Sequence, residues 1–327
     1  MASFRTAALA TALALAPLGT AAAQSFPDKP ITMVVPFAAG GAADTTGRIV
    51  AEAMGKRLGQ NVLVENLPGA GGAIGTERVK GAAPDGYTIG LGHTGTLAAA
   101  VAVNKNLTFD PTTDFDYLGI ASFTPGVVFV NKDKPYKTLS EFIAYAKDPA
   151  NEVTFGHSGI GAASQLACLL LFQAGGINPV DVPFQGFGQT VMAVISGEID
   201  GSCDLVVSAS SYVKDGAVRA LAVAAPERSA AMPDVPTAAE AGLPNLELQV
   251  WTGLFAPKGT PPEVVAALQA SLNDALAEPG VRERLVGLGA REPAEDEKGG
   301  QNMQAVVEKD VARWLTVFGA EGAQAGR

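Results

Sequence analysis

The amino-acid sequence predicts an α/β protein of two lobes, each with a mainly parallel sheet flanked by helices. Short apolar runs alternate with glycine-rich turns and helix-like segments, a pattern typical of such sheets. The length of 327 residues allows two domains, because one domain usually takes about 100–200 residues. Two extended segments, 117–130 and 248–256, could carry the chain between lobes and back. We therefore predict a first lobe from residues 24–125 and 252–327, and a second lobe from residues 126–251.

The N-terminus has the features of a secretory signal peptide. Arg5 supplies a positive charge, residues 7–18 are apolar, and the small residues 21–23 offer a cleavage site. The apolar stretch is interrupted by proline and glycine and is shorter than the roughly 20 residues that span a bilayer. The pattern therefore predicts export, with residues 1–23 removed and the mature chain beginning at Gln24.

Three predicted strands organise the first lobe. Residues 31–35 form a short apolar run, and the turn "PFAAGGAAD" then leads into a helix with Asp44 at its N-cap or in its first turn. Two more strands are predicted at 62–65 and 87–91, with a helix through 76–80 between them. The apolar positions of the first helix recur at helical spacing: Ile49, Val50, Ala53, Met54 and Leu58.

Two capping boxes mark helix starts in the second half of the chain. Thr138 with Glu141 fits the pattern in which each side chain bonds the other residue's backbone. Thr260 with Glu263 fits the same pattern, with Pro261 at the favoured first helical position. The C-terminal part is predicted to return to the first lobe as helices, from residue 262 to 277 and from 303 to 318.

The composition excludes several classes of partner and site. The 23 basic residues are outnumbered by 33 acidic ones, giving a net charge of −10, whereas nucleic acids and anionic membranes bind basic faces. Cys168 and Cys203 cannot form a disulfide framework, and we interpret both as buried apolar residues, with a single bridge left open. Two histidines and two cysteines at unrelated spacings give no metal-ligand set, so we predict neither a metal nor a cofactor.

The loop "GHSGIGAASQL", residues 156–166, allows two enzymatic interpretations. A serine hydrolase would use Ser158 as nucleophile, but the G-x-S-x-G motif is incomplete. A catalytic triad also needs a histidine from elsewhere in the chain, and apart from the neighbouring His157 the sequence contains only His93. A dinucleotide site would use Gly159 and Gly161 ahead of the helix. Ser164 replaces the third glycine of that motif, and an exported protein has little access to nicotinamide cofactors.

The same loop fits an anion cradle at a helix N-terminus. Free backbone N–H groups and the positive end of the helix dipole favour a negative ligand there. The loops "PFAAGGAAD", "GHTGTL", "GHSGIGAAS" and "FQGFGQT" contain no lysine or arginine, so the anion would be held by neutral donors. The echo of "GHTG" and "GHSG", each after a strand, suggests one binding loop in each lobe.

Several longer strings resemble a known family. They are "FPDKPITMVVPFAAGGAAD", "VENLPGAGGAIGTE", "AAPDGYTIGLGHTGT", "FGHSGIGAASQLA" and "MPDVPTAAEAGLP". From about residue 26 to 314 the chain is similar to the periplasmic receptors of tripartite tricarboxylate transporters, also called Bug receptors. The resemblance implies a type II periplasmic-binding fold, a monomeric periplasmic receptor without catalytic activity, and delivery of a small organic carboxylate to membrane permease subunits.

The resemblance also implies which residues bind the ligand. The loop 37–44 is expected to meet one carboxylate, partly through water, and the loop 158–164 the other. The loop 94–96 and the segments around residues 186 and 204 are expected to border the ligand. The predicted binding residues are Phe37, Ala38, Gly40, Gly41, Asp44, Thr94, Gly95, His157, Ser158, Gly159, Gly161, Ala162, Ala163, Gly186, Phe187 and Asp204.

Three positions depart from the pattern of the family. Ala162 and Gln165 stand where relatives often have threonine and histidine, and His157 stands where a small residue is more usual. These changes remove a hydroxyl donor, so the ligand of a relative does not transfer. A C4–C6 dicarboxylate is the expected ligand, with aromatic carboxylates and amino acids left open and a hydrolase using Ser158 as the alternative function.

Overall fold

The computed structural model describes residues 26–319, so the predicted signal peptide lies outside the described residues. The strands are β1 Ile31–Val35, β2 Val62–Asn66, β3 Thr88–His93, β4 Phe115–Asn131, β5 Thr154–His157, β6 Val180–Pro183, β7 Gly201–Leu205, β8 Val218–Ala224 and β9 Gln249–Pro257. The helices are α1 Ala42–Leu58, α2 Ala73–Lys80, α3 Ala100–Val103, α4 Leu139–Lys147, α5 Ala163–Gly175, α6 Phe187–Ser196, α7 Val206–Lys214, α8 Pro262–Ala277, α9 Pro279–Gly287 and α10 Gly300–Gly319.

Two long strands join the two lobes. Residues 115–125 of β4 pair antiparallel with β9, which continues through β3 into the parallel strands β1 and β2. Residues 126–131 of β4 instead pair antiparallel with β7 and β8, and β7 continues into the parallel strands β5 and β6. The α/β fold of two lobes is confirmed. Each sheet is mixed, because the strands that pass between the lobes run against the βαβ units.

The first helix follows its predicted pattern. Ile49, Val50, Ala53 and Met54 are buried against the sheet of the first lobe, and Leu58 packs at its edge. α1 begins after the N-cap Gly41, so Asp44 lies in its first turn. The apolar stripe of α1 therefore fixes the helix on the sheet and aims its N-terminus at the space between the lobes.

One predicted capping box is confirmed and the other is wrong. At the start of α4, the Glu141 N–H donates to the Thr138 hydroxyl and the Glu141 carboxylate accepts from the Thr138 N–H. At α8, Thr260 lies one residue before the N-cap position, and its hydroxyl donates to the Pro257 carbonyl at 2.8 Å. The helix starts at Pro262, with Pro261 as its N-cap.

Both cysteines are free and buried, as the sequence interpretation proposed. Cys168 packs on α5 and Cys203 on β7, within the apolar core of the second lobe. Burial in this core raises the pKa of the Cys203 thiol. These thiols therefore contribute as small apolar side chains.

Candidate functional site

A cavity of about 570 Å³ lies between the lobes. Its walls come from residues at the carboxyl ends of strands β1, β2, β3, β5, β6 and β7, as expected for ligand sites in open α/β sheets. Lobe one contributes the segments 36–43 and 68–72, and lobe two contributes residues of the segments 158–164, 183–187 and 204–208. The volume suits a small ligand held from both sides.

Among residues 26–319, five α-helices begin at the wall of this cavity. None of their N-cap residues makes a side-chain capping hydrogen bond, in contrast to Thr138 at the distant helix α4. These N-termini therefore bring positive dipole ends and backbone N–H groups to one place, without a capping side chain from the N-cap residue. The N-cap residues, all at the cavity wall, are Gly41 of α1, Gly72 of α2, Ala162 of α5, Gly186 of α6 and Leu205 of α7.

Most of the predicted binding residues lie at the cavity wall. They belong to the loops that precede α1, α5 and α6 and to the end of β7. They are Phe37, Ala38, Gly41, Ser158, Gly159, Ala162, Ala163, Gly186, Phe187 and Asp204. Six others are not among the lining residues: Gly40, Asp44, Thr94, Gly95, His157 and Gly161.

Asp44 is a structural acid of the first loop. Its carboxylate accepts hydrogen bonds from the Gly40 N–H and from the Asn66 amide, each at 2.9 Å, and lies 2.9 Å from the Arg48 guanidinium. Burial alone would raise the pKa of Asp44, but these donors hold it below its ordinary value. Asp44 is therefore an ionised anchor for the loop and does not contact the cavity.

His157 is turned away from the cavity into the second lobe. Its ring is fully buried, with Nε2 3.2 Å from the Asp181 carboxylate on β6. The Gly159 N–H lies 3.1 Å from His157 Nδ1, which closes the turn. This contact with β6 removes His157 from the ligand surface and stabilises the loop that carries Ser158.

Thr94 and Gly161 also hold loops in place. The Thr94 hydroxyl accepts from the Trp251 N–H at 3.2 Å, which ties the end of β3 to the crossing strand β9. The Gly161 N–H donates to the Gln165 side chain at 2.7 Å. Trp251 itself is a buried core residue whose indole donates to Asp310 at 2.7 Å.

His93 is a cavity residue that the sequence reasoning missed as a binding residue. Its ring stacks on Phe37, with centroids 4.6 Å apart, and Nδ1 accepts from the Gly95 N–H at 2.8 Å. Burial lowers the pKa of His93 to about 4, so the ring is neutral near pH 7. Because Nδ1 is an acceptor, the proton is on Nε2, which makes His93 a neutral donor. The repetition of "GHTG" and "GHSG" is the sequence feature that could have indicated His93 as a binding residue.

The depressed pKa of His93 predicts acid sensitivity of the fold. The folded pKa of about 4 lies below the ordinary value of 6.5. As pH falls below about 6.5, the unfolded chain takes up a proton that the folded protein does not. This proton lowers the free energy of unfolding by about 1.4 kcal/mol per pH unit until the pH reaches about 4.

Chemical denaturation of wild type and His93→Asn between pH 7 and pH 4 measures this contribution. Asparagine offers an acceptor in place of Nδ1 but does not titrate. The acidic residues contribute equally to the pH dependence of both proteins, so their contribution cancels in the difference. We expect the stability advantage of the wild type to shrink steadily as pH falls. A difference that stays constant with pH would contradict the assignment.

The serine hydroxyls of the second loop are arranged for binding. The Ser158 hydroxyl donates to the Asp204 carboxylate at 2.8 Å, and the Ser158 N–H donates to Ser164 Oγ at 2.9 Å. Ser164 thus keeps its own proton for another acceptor. Within residues 26–319, neither histidine is a hydrogen-bond partner of Ser158, so the serine–histidine pair that a hydrolase needs is not formed.

Asp204 is the acid at the cavity wall. Burial raises the pKa of its carboxyl group, while hydrogen bonds from the Leu205 N–H and from Ser158 act in the opposite direction. Leu205 donates to Oδ1 at 2.7 Å. The carboxyl group therefore has a fixed orientation at the start of α7, where the dipole of that helix partly offsets its charge.

Two further groups of cavity residues were absent from the predicted set. Residues 68–72 form the wall between β2 and α2, and the glycines between a predicted strand and a predicted helix are the sequence feature that could have indicated them. Phe184 and Ser208 also line the cavity. Phe184 opens the loop "FQGFGQT" that the sequence analysis selected, whereas no local pattern marks Ser208, because its position depends on how α7 packs on the second lobe.

The lobes touch at the mouth of the cavity through glycines. A methyl group at Gly71 would lie 2.3 Å from the Ile160 carbonyl oxygen and 3.0 Å from Gly161 Cα, and one at Gly186 would lie 3.1 Å from Ala38 Cβ. Backbone therefore meets backbone across the cleft, and the structure is a closed arrangement of the lobes.

The fold and the cavity define a two-lobed solute-binding protein. Residues 46–322 match the model of the tripartite tricarboxylate transporter family receptor, and the chain belongs to this family. MatC from Rhodopseudomonas palustris with bound malate is 41% identical, with a TM-score of 0.86 over 90% of this chain and 100% of that chain. The periplasmic binding protein BugD is 37% identical, with a TM-score of 0.86 over 91% and 99%.

A second R. palustris protein, solved with adipate, is 29% identical, with a TM-score of 0.85 over 89% of this chain and 97% of that chain. These neighbours confirm the family that the sequence strings resemble and the α/β architecture of two lobes. Within residues 26–319, no helix has both the length and the apolar character to cross a membrane.

Proposed function

We propose that this protein captures a small organic carboxylate, most readily a C4–C6 dicarboxylate, for a transporter of the tripartite tricarboxylate type. The observation that carries the proposal is the convergence of uncapped helix N-termini on one cavity. Backbone N–H groups and helix dipoles attract a carboxylate, and the lining residues include no lysine or arginine. Neutral donors suit reversible capture.

Each lobe offers a separate place for one carboxylate. In lobe one, the N-termini of α1 and α2 are accompanied by the neutral His93 donor. In lobe two, the N-termini of α5 and α6 are accompanied by the free proton of the Ser164 hydroxyl. A dicarboxylate therefore joins the two lobes, which supports a closed arrangement like that seen at Gly71.

The ligand range rests on the structural neighbours. One neighbour was solved with malate and another with adipate, and these ligands differ in chain length and in the presence of a hydroxyl group. A cradle built from backbone accommodates such differences because it recognises the carboxylates. We propose that the protein acts by binding alone and is not an enzyme. Acylation of Ser158 by activated esters, seen as a mass increase, would contradict this.

A thermal-shift screen against dicarboxylates, tricarboxylates, aromatic acids, acidic amino acids and neutral sugars tests the ligand class. A ligand at about 100 times its dissociation constant stabilises the native state by about 2.7 kcal/mol, which raises the melting temperature measurably. We expect C4–C6 dicarboxylates to give the largest shifts. A shift with a neutral sugar but with no carboxylate would show that the ligand class is wrong.

Location in the periplasm is part of the same proposal. Expression of the full sequence in a Gram-negative host should give a periplasmic product that begins at Gln24, because the N-terminus has charged, apolar and small-residue regions in the order of a signal peptide. Intact-mass measurement of the periplasmic and membrane fractions checks this. A membrane-bound product that retains Met1 would overturn the proposed location.

A further inference from the structure

The cavity wall contains an acid where an anion is proposed to bind. Asp204 is 5% exposed, and among the described residues that line the cavity it is the acid, with no lysine or arginine beside it. A bare carboxylate at this position would repel a bound dicarboxylate. Asp204 therefore imposes a requirement on the ligand beyond the presence of carboxylates.

The contacts of Asp204 show what that requirement is. Both oxygens accept a hydrogen bond, Oδ1 from the Leu205 N–H at 2.7 Å and Oδ2 from the Ser158 hydroxyl at 2.8 Å. The carboxyl group is thus held as an acceptor. The Ser208 hydroxyl is a further protein donor beside this carboxylate. A carboxylate accepts about four hydrogen bonds, so one position is left, and because Asp204 lines the cavity a ligand can fill it.

We propose that Asp204 makes the site select carboxylates that also carry a hydrogen-bond donor, a hydroxyl or an ammonium group, over plain dicarboxylates. The inference rests on the proposed carboxylate site. A ligand with a donor pairs with the buried acid. A plain carbon chain leaves that acid desolvated and with one acceptor position unfilled, an arrangement that sites built for a polar group reject strongly.

Calorimetric titration with succinate, malate and aspartate tests the selection at constant chain length. We expect malate or aspartate to bind wild type at least about 10-fold more tightly than succinate, and the order of those two ligands distinguishes hydroxyl from ammonium. Asp204→Asn should reduce the ratio to within about threefold, because an amide accepts more weakly and no longer repels succinate. Asp215→Asn, at an exposed acid at the far end of α7 and outside the cavity, should leave the ratio unchanged.

A second variant keeps the test valid if Asp204→Asn does not fold. Ser158→Ala removes the hydroxyl that donates to Asp204 Oδ2, so the acid depends more on a donor from the ligand and the ratio should rise. Succinate binding as tightly as both other ligands, or a ratio unchanged in these variants, would overturn the inference. If the thermal-shift screen favours C5 or C6 acids, the same comparison is made at that length. Failure of every dicarboxylate set would contradict the proposed function, and the inference with it.

Discussion

Ala162→Asp is expected to weaken carboxylate binding at least about 100-fold while the fold survives. Ala162 is the N-cap of α5, is 4% exposed and lines the cavity. An aspartate at an N-cap accepts from the first free N–H groups of its helix, so the stability of the apo protein should be kept or slightly raised. The same carboxylate occupies the donors proposed for the ligand and repels its charge.

The size of the effect follows from electrostatics. Two like charges about 4 Å apart interact by about 4 kcal/mol at the effective dielectric constant of a protein surface, more than the roughly 2.7 kcal/mol that corresponds to a 100-fold change in affinity. Ala162→Asn is the matched control, because asparagine has nearly the same shape and also caps helices but carries no charge. The measurements are the apo melting temperature and calorimetric affinity. Equal affinity in the two variants would contradict an anion at the N-terminus of α5.

Gly71→Ala is expected to weaken binding about 10- to 100-fold by preventing closure. The added methyl group would lie 2.3 Å from the Ile160 carbonyl oxygen in the opposite lobe. Overpacking of this kind costs about 1–3 kcal/mol, and separation of the lobes relieves it. The ligand then loses contacts with one lobe, while the core of each lobe is unchanged.

Gly59→Ala is the matched control for Gly71→Ala. Gly71 has a φ of +66° and Gly59 a φ of +67°, and no atom lies within 4 Å of a methyl group at Gly59. Both variants therefore pay a similar backbone cost, but only the change at Gly71 affects the lobe contact. Calorimetry and small-angle scattering with and without ligand compare them. Equal affinities, or ligand-induced compaction retained in Gly71→Ala, would contradict the closure account.

Local pattern was sufficient to predict much of the architecture. The apolar stripe of α1 and the capping box at Thr138 depend on residues three or four positions apart, so each could be recognised without knowledge of the rest of the chain. The box at Thr260 was wrong because α8 begins one residue later than the box requires, with Pro261 as its N-cap, so Thr260 and Glu263 do not occupy the two positions of a box. The mixed sheets were not predicted, because strand direction depends on where β4 and β9 cross between lobes.

The histidine loops show why the binding surface was harder to predict. In both loops the N–H of the glycine two residues on lies within hydrogen-bond distance of the histidine Nδ1, so the repeated motif forms the same local turn. The difference lies in distant partners. His93 stacks on Phe37 at the cavity, whereas His157 contacts Asp181 on β6. Which of the two histidines lies at the cavity therefore depends on tertiary contacts, which the local sequence around each histidine does not indicate.

A crystal structure of the complex with the best carboxylate from the thermal-shift screen tests the central claim most directly. The account predicts a ligand between the lobes, with one carboxylate within hydrogen-bond distance of the backbone N–H groups at the start of α5 or α6. The other carboxylate is predicted at the start of α1 or α2, and the ligand's hydroxyl or ammonium group on Asp204. A carboxylate held away from all four helix N-termini would contradict it.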